Sequence, residues 1–176
     1  MVSNPELYTE NSLDLSLDIQ PLENPEGELH LRFYLASGEA FAFPATGIAE
    51  VMQQTPDQIA PIPNASPLLL GTINLRGKVI WVADLGQFLG DSGVLKTDRP
   101  TIPVIAIEEQ EQILGLAISS IGEMDWLDVE QLSISHPPSD SMAPFVQAQW
   151  QPESESNLIV NLLDPAKILR SARWAT

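Results

Sequence analysis

In the run LHLRFYLASGEAFAFP, residues 29–44, apolar side chains recur at every second position: Leu29, Leu31, Phe33 and Leu35, then Phe41 and Phe43. Side chains alternate across an extended strand, so a period of two fits strands with one apolar face and not a helix. Ser37-Gly38-Glu39 supplies the turn between the two runs, and together they predict a β-hairpin. On this reading His30, Arg32 and Tyr34 form the opposite, polar face. Fifteen prolines in 176 residues point the same way, because each removes a backbone donor and interrupts continuous helix. An apolar content of 44% is enough to bury one core, in one domain or in two small ones that share it.

The same grammar returns in GTINLRGKVIWVADLGQFLG, residues 71–90. Ile73 and Leu75 end one strand, Arg76-Gly77-Lys78 makes the reversal, and Val79 to Val82 begin the next. Gly77 is the residue able to take positive φ at a tight turn. Asp84 stands at the N-cap of a short helix in which Leu85, Phe88 and Leu89 recur at helical spacing and which Gly90 stops. A proline-rich connection, TPDQIAPIPNASP, precedes this unit, with Ser66 placed to cap a short helical turn at Pro67.

Shifting the chain by 73 residues lays ELHLRFYLASGEAFAFPATGIAEVM over TIPVIAIEEQEQILGLAISSIGEM without a gap once its last residue is set aside. Phe43 then falls on Leu116, Ile48 on Ile121 and Glu50 on Glu123. Further on, VADLGQFL matches LLDPAKIL, with Asp164 as a second helix cap and about seven extra residues in the second copy. Turns, strands and caps recur in the same order, which predicts two similar β-subdomains.

Charge narrows the partners. Eight basic residues against 24 acidic ones give a formal net charge of −16, unsuited to phosphate backbones or anionic membrane surfaces and suited to a partner with a basic face. Residues 1–28 hold seven acidic residues and no basic one, which predicts a flexible acidic tail. The alternation of Leu13, Leu15, Leu17 and Ile19 leaves an edge strand, able to add to a sheet, as the alternative. Lys167, Arg170 and Arg173 read as a solvated stripe on the final helix, matched to its dipole. No basic region followed by an apolar run opens the sequence, which predicts a cytoplasmic protein.

Catalytic groupings are sparse. There is no cysteine, which removes thiolate nucleophiles and Cys-ligated zinc. His30 and His136 lack metal-ligand spacing and read as surface or strand-face residues. Neither common phosphate-binding glycine loop nor a G-x-S-x-G elbow is present. The expectation is a protein without enzymatic activity, cofactor or metal that works by binding. Arg76 presents a planar five-donor fork at a hairpin tip, suited to a carboxylate or to backbone carbonyls. Two roles are open to it from the residues alone: contact with a partner, or tying down a neighbouring loop of its own fold.

The run PNASPLLLGTINLRGKVIWVADL resembles the signature of the CheW-type chemotaxis coupling proteins, with Pro63, Gly71, Asn74, Leu75, Arg76, Gly77, Asp84 and Leu85 in register. Ile48-x-Glu50-Val51 is similar to that family's upstream V-x-E-V/I segment, and Gly115-Leu116 to its G-L-x-V-D-x-V block, where Ser119 replaces the usual aspartate. The resemblance covers roughly residues 28–171. It implies a mainly β fold of two five-stranded, SH3-like barrel subdomains packed around a shared apolar centre, with short helices including a C-terminal one. The expected boundaries are a tail over 1–28, a first barrel over 29–99, and a second barrel with the C-terminal helix over 100–176.

The resemblance further implies an adaptor without catalytic activity. It would join the cytoplasmic tips of methyl-accepting receptors to the regulatory domain of a CheA-type histidine kinase. Ile48, Glu50, Gly71, Asn74 and Arg76 match positions at or near the receptor-facing groove, Gly77 and Lys78 form the hairpin turn, and Asp84 and Asp164 serve as helix caps. The long tail, Trp81 and Ser119 lean towards diverged, PilI-like members that serve type IV pilus motility or phototaxis. Two alternatives remain: a CheW-like competitor or array filler that transmits no signal, and a β-rich small-ligand or glycan-binding module using Trp81, Trp126, Trp150 and Trp174.

Overall fold

The computed structural model describes residues 27–133, 136–155 and 157–175. The tail expected over 1–28 therefore lies outside the described residues as far as position 26. Eleven strands and two short helices follow one another: β1 (Glu28–Tyr34), β2 (Ala40–Pro44), β3 (Ile48–Gln54), β4 (Leu69–Leu75), β5 (Lys78–Asp84), α1 (Leu85–Leu89), β6 (Ile102–Glu109), β7 (Gln112–Ala117), β8 (Ser120–Leu127), β9 (Leu132–Ser133), β10 (Val146–Trp150), β11 (Val160–Leu163) and α2 (Pro165–Leu169). The fold is mainly β, as expected. The turn at Ser66-Pro67 is a plain hydrogen-bonded turn in which Ser66 Oγ accepts from the Leu68 N–H at 3.3 Å.

The strands form two curled sheets, one of six strands in the order β8-β1-β2-β11-β10-β9 and one of five in the order β3-β6-β7-β5-β4. One sheet thus has six strands where five were expected. The extra strand is the two-residue β9, whose counterpart in the other sheet is a single bridge between Ala60 and Thr72. The repeat is plain in the pairing. β3 and β8 are each followed by a 3-10 turn, Pro56–Gln58 and Val129–Gln131, and the chain beyond each turn pairs with β4 or β10 to close the sheet on itself. The ungapped alignment slips by one residue at the first strand. Leu31 and Phe33 correspond to Ile105 and Ile107, because the loop between Tyr34 and Ala40 is one residue longer than that between Glu108 and Ile113.

The two repeats exchange their first hairpins. The six-stranded sheet takes β1 and β2 from the first repeat and β8 to β11 from the second; the five-stranded sheet takes β3 to β5 from the first and β6 and β7 from the second. Each sheet therefore draws on both sides of the boundary expected at 99/100, which divides the repeats and not the sheets. The alternation in a hairpin sets its faces but leaves open which sheet it joins. Each exchanged hairpin is joined to its host sheet by one antiparallel pairing, β1 with β8 or β6 with β3, and one parallel pairing, β2 with β11 or β7 with β5.

The main core lies between the sheets, where Leu31, Phe33, Phe41 and Phe43 meet Ile105, Ile107 and Leu116 beneath both helices. A second core fills the five-stranded sheet around Ile73, Leu75, Ile80, Val82 and Val104, and a third fills the six-stranded one around Ala40, Ala42, Leu127, Trp150 and Leu162. The hairpin of β1 and β2 is consequently buried on both faces, and the expected polar face of β1 is not open to water. Arg32 is 3% exposed, makes two 3.1 Å hydrogen bonds to Asp125 and lies over the Trp150 ring. His30 is buried beside it, its Nδ1 3.1 Å from the Glu28 carbonyl oxygen. A guanidinium is tolerated inside a barrel because an ion pair and hydrogen bonds replace its hydration.

The basic stripe at the C-terminus is likewise only partly solvated. α2 ends at Leu169, and Arg173 sits in a separate 3-10 turn. From there its guanidinium donates to the Phe88 and Ser141 carbonyl oxygens at 2.8 and 2.7 Å. Trp174 stacks on Phe88, clasping the chain end over α1.

Candidate functional site

The tip of the β4–β5 hairpin is a two-residue turn, Leu75 pairing with Lys78 across Arg76 and Gly77. Both central residues take positive φ, +52° at Arg76 and +84° at Gly77. A turn of this hand matches the twist of the flanking strands but favours glycine or asparagine at each central position. Gly77 meets that demand as expected; Arg76 meets it against its intrinsic preference. Asn74 supports the turn from below, its Oδ1 accepting from the Gly77 N–H at 2.8 Å.

From this tip the guanidinium reaches across the seam of the five-stranded sheet. β3 and β4 are the two ends of the strand order. Far from the tip, the chain beyond β3 is joined to β4 by two 2.9 Å backbone hydrogen bonds between Ala60 and Thr72; near it, β3 itself is joined by Arg76 Nη2 at 2.8 Å from Glu50 Oε1. That second link is a charge contact: the N–H is not aimed at the oxygen, which is buried and has no aligned donor among the described residues. The Arg76 side chain stays 79% exposed, so most of its donor fork faces solvent. Beneath it opens a cleft of about 300 Å³ lined by Ala49, Glu50, Leu75, Arg76, Lys78, Glu108 and Ile113.

The expected groove residues separate. Glu50, Arg76 and Lys78 line the cleft, and Asn74 builds its rim. Ile48 is half-buried against the main core, paired with Ile107. Gly71 lies where the Ala60 segment crosses β4, and a Cβ there would meet the Ala60 carbonyl oxygen at 2.2 Å. Glu108 and Ile113 come from the other repeat's hairpin; in the sequence Glu108 reads, with Glu109 and Glu111, as part of a solvated turn, and nothing there points to Ile113.

Asp84 and Asp164 are helix caps as expected. Asp84 accepts from the Gln87 N–H at 3.1 Å and Asp164 from the Ala166 N–H at 3.0 Å. Burial pushes the Asp84 carboxyl above its ordinary value, against the backbone hydrogen bonds that lower it. Among the described residues no three His, Asp or Glu side chains gather as metal ligands, and no helix is long and apolar enough to cross a membrane.

Two curled sheets related by an internal repeat, with an arginine-tipped hairpin over the seam of one, define a double-barrel domain of the SH3-like kind. The chain belongs to the CheW-like domain family, whose sequence profile matches residues 30–173. The chemotaxis protein CheW of Rhizobium meliloti (strain 1021) is 26% identical over 100 residues, 56% of this chain; the match spans 61% of that relative's length. The crystal structure of the scaffolding protein TtCheW from Thermoanaerobacter tengcongensis superposes with a TM-score of 0.69 at 22% identity, covering 84% of this chain and 95% of that one. That likeness concerns the fold.

Proposed function

We propose that this protein is a non-enzymatic adaptor that joins methyl-accepting receptor-like proteins to the regulatory domain of a CheA-type histidine kinase. It would act in the cytoplasm at membrane-associated receptor arrays. The reading rests on one observation above all: Arg76 is held in a left-handed conformation, 79% exposed, at the edge of a cleft on a stiff hairpin. A structural tie would bury and align its donors, whereas recognition of a carboxylate or of helix-end carbonyls needs them presented to solvent. The relatives named as a chemotaxis protein and a scaffolding protein support the same role. Receptor state would reach the kinase only through contacts that differ between signalling states, since a partner bound equally in both shifts nothing.

Ile48, Glu50, Gly71, Asn74 and Arg76 then divide into two contact residues, Glu50 and Arg76, and three that hold them in place. Calorimetric titration of a receptor cytoplasmic fragment tests this. Arg76→Ala is expected to weaken binding about tenfold or more, the loss of one charge-assisted contact, with an unchanged circular dichroism spectrum. Equal affinity of the variant and the unaltered protein would remove Arg76 from the interface. A pilus or phototaxis output remains the preferred setting, resting on Ser119, Trp81 and the long acidic tail. The glycan-binding alternative finds little support in the tryptophans: Trp150 is buried under Arg32, Trp174 packs on Phe88, and Trp81 and Trp126 lie on different sheets.

A further inference from the structure

The repeat places different chemistry at equivalent positions of its two sheets. Leu31 and Phe33 correspond to Ile105 and Ile107, so His30 corresponds to Val104 and Arg32 to Ala106. Val104 and Ala106 belong to the apolar core of the five-stranded sheet. His30 and Arg32, 5% and 3% exposed, take those places in the six-stranded one. Arg32 is engaged there by Asp125, Glu155 and the Trp150 ring. His30 is left half-satisfied. Its one hydrogen bond among the described residues joins Nδ1 to the Glu28 carbonyl oxygen at 3.1 Å. A carbonyl oxygen only accepts, so Nδ1 carries the proton, and Nε2 of the neutral ring is an acceptor without a donor.

His30 lines a cleft of about 510 Å³ that opens between the start of β1 and the end of β8. Its walls are aliphatic, with Leu127, Leu132 and Leu162 of the third core, and its rim carries the carboxylates of Glu28 and Asp128. Glu28 lies two residues from His30, on the same face of β1. Asp128 uses one oxygen, on the Glu130 N–H at 3.3 Å. No Lys or Arg lines this cleft among the described residues, whereas Arg76 and Lys78 line the cleft of the other sheet. The volume falls within the range that holds a small organic molecule. A ligand entering here meets acceptors and hydrocarbon. It must therefore donate hydrogen bonds, carry positive charge to offset the rim, and have a short apolar stem. The net charge of −16 draws such cations towards the chain and repels anions.

We propose that this cleft in the six-stranded sheet binds a small aliphatic ammonium ion. One N–H is donated to His30 Nε2, the charge is held by Glu28 and Asp128, and the alkyl stem packs on the three leucines. The site lies on the sheet that does not carry Arg76, so it stands or falls independently of the adaptor role.

The sequence has two histidines, and with isotope-labelled histidine the ring nitrogens of each can be followed by NMR in the full chain, His136 serving as the internal control. Butylammonium, butanol and butyrate are titrated at constant pH and ionic strength. Butylammonium is expected to shift the His30 Nε2 resonance saturably with a midpoint of about 1 mM, butanol at least about tenfold more weakly, and butyrate not at all. In Glu28→Gln/Asp128→Asn, which keeps an acceptor for the Glu130 N–H, the midpoint is expected to rise about tenfold or more. His30→Val copies the residue of the other repeat and is expected to abolish the calorimetric signal of butylammonium while the melting transition stays cooperative. A response that does not saturate, equal responses to the three probes, or a His136 shift that parallels that of His30 would overturn the proposal. An unchanged midpoint in the double variant, or a calorimetric signal retained in His30→Val, would overturn it equally.

Discussion

Arg76→Asn separates the two roles that the sequence leaves open for this arginine. The left-handed conformation costs an ordinary L-residue about 1–2 kcal/mol, and asparagine tolerates it because its short polar side chain bonds locally. Asparagine before Gly77 also forms the dipeptide favoured in two-residue hairpins. Against this gain stands the lost contact with Glu50, a pair in which Arg76 is 79% exposed, and exposed pairs contribute about 0.2–1 kcal/mol. The balance favours the variant by about 0.5–1 kcal/mol. For a chain of this size that raises the melting temperature by roughly 1–4 °C. Urea denaturation with matched m-values, and a thermal scan, measure the difference. The same variant is expected to bind the receptor fragment more weakly, so stability and binding move in opposite directions. A variant destabilised by more than about 1 kcal/mol, beyond what an exposed pair supplies, would show that Arg76 holds the β3–β4 seam together, and the recognition argument would fail.

Other perturbations follow from the same geometry. Asp125→Ala leaves Arg32 charged inside the six-stranded sheet with the half-exposed Glu155, 3.4 Å away, in place of its bidentate partner, and is expected to cost about 3 kcal/mol by denaturant titration, whereas Arg32→Met with Asp125→Leu costs far less. Asp84→Asn keeps a capping side chain and removes a carboxyl whose folded-state value burial has raised above its ordinary 3.8. A raised carboxyl favours folding below its unfolded value and loses that contribution as pH rises through the folded one. The asparagine variant should therefore gain stability relative to the unaltered protein as pH climbs above about 4, with no gain below it. An advantage that is the same at every pH would refute the cause assigned to the shift. Gly71→Ala places a methyl 2.2 Å from the Ala60 carbonyl oxygen; a cost of about 1–3 kcal/mol and faster deuterium exchange at the Ala60 and Thr72 amides are expected.

Much of this architecture was legible along the chain because it is encoded locally. Hairpins announce themselves in alternation and turn residues, and Asp84 and Asp164 cap their helices from one position away. The repeat emerged for the same reason, since both copies carry the same order of local signals. What escaped notice was encoded at a distance. Arg32 looks like a residue of a solvated face until Asp125, 93 residues later, is brought beside it. Small barrels bury both faces of a strand, so alternation that marks in and out in an open sheet marks two interiors here. Glu108 joins the Arg76 cleft only because β6 pairs with β3 across the repeats. Arg76 itself was placed at the tip, but its positive φ was hidden because the turn's demand falls equally on a residue that does not ordinarily supply it.

The hairpin exchange imposes an order of assembly. The carbonyl of Ala40 is met by the side-chain amide of Asn161, 121 residues later, so the β2 side of the first hairpin to leave the ribosome stays unpaired until β11, nearly the last strand, is made. Such long-range closure slows folding and leaves Phe33, Phe41 and Phe43 without their partners meanwhile. A nascent chain of this kind needs shelter at its beginning longer than at its end. By the same logic, a cut between residues 99 and 100 would yield two incomplete pieces, each holding the hairpin that the other lacks and regaining structure only on mixing.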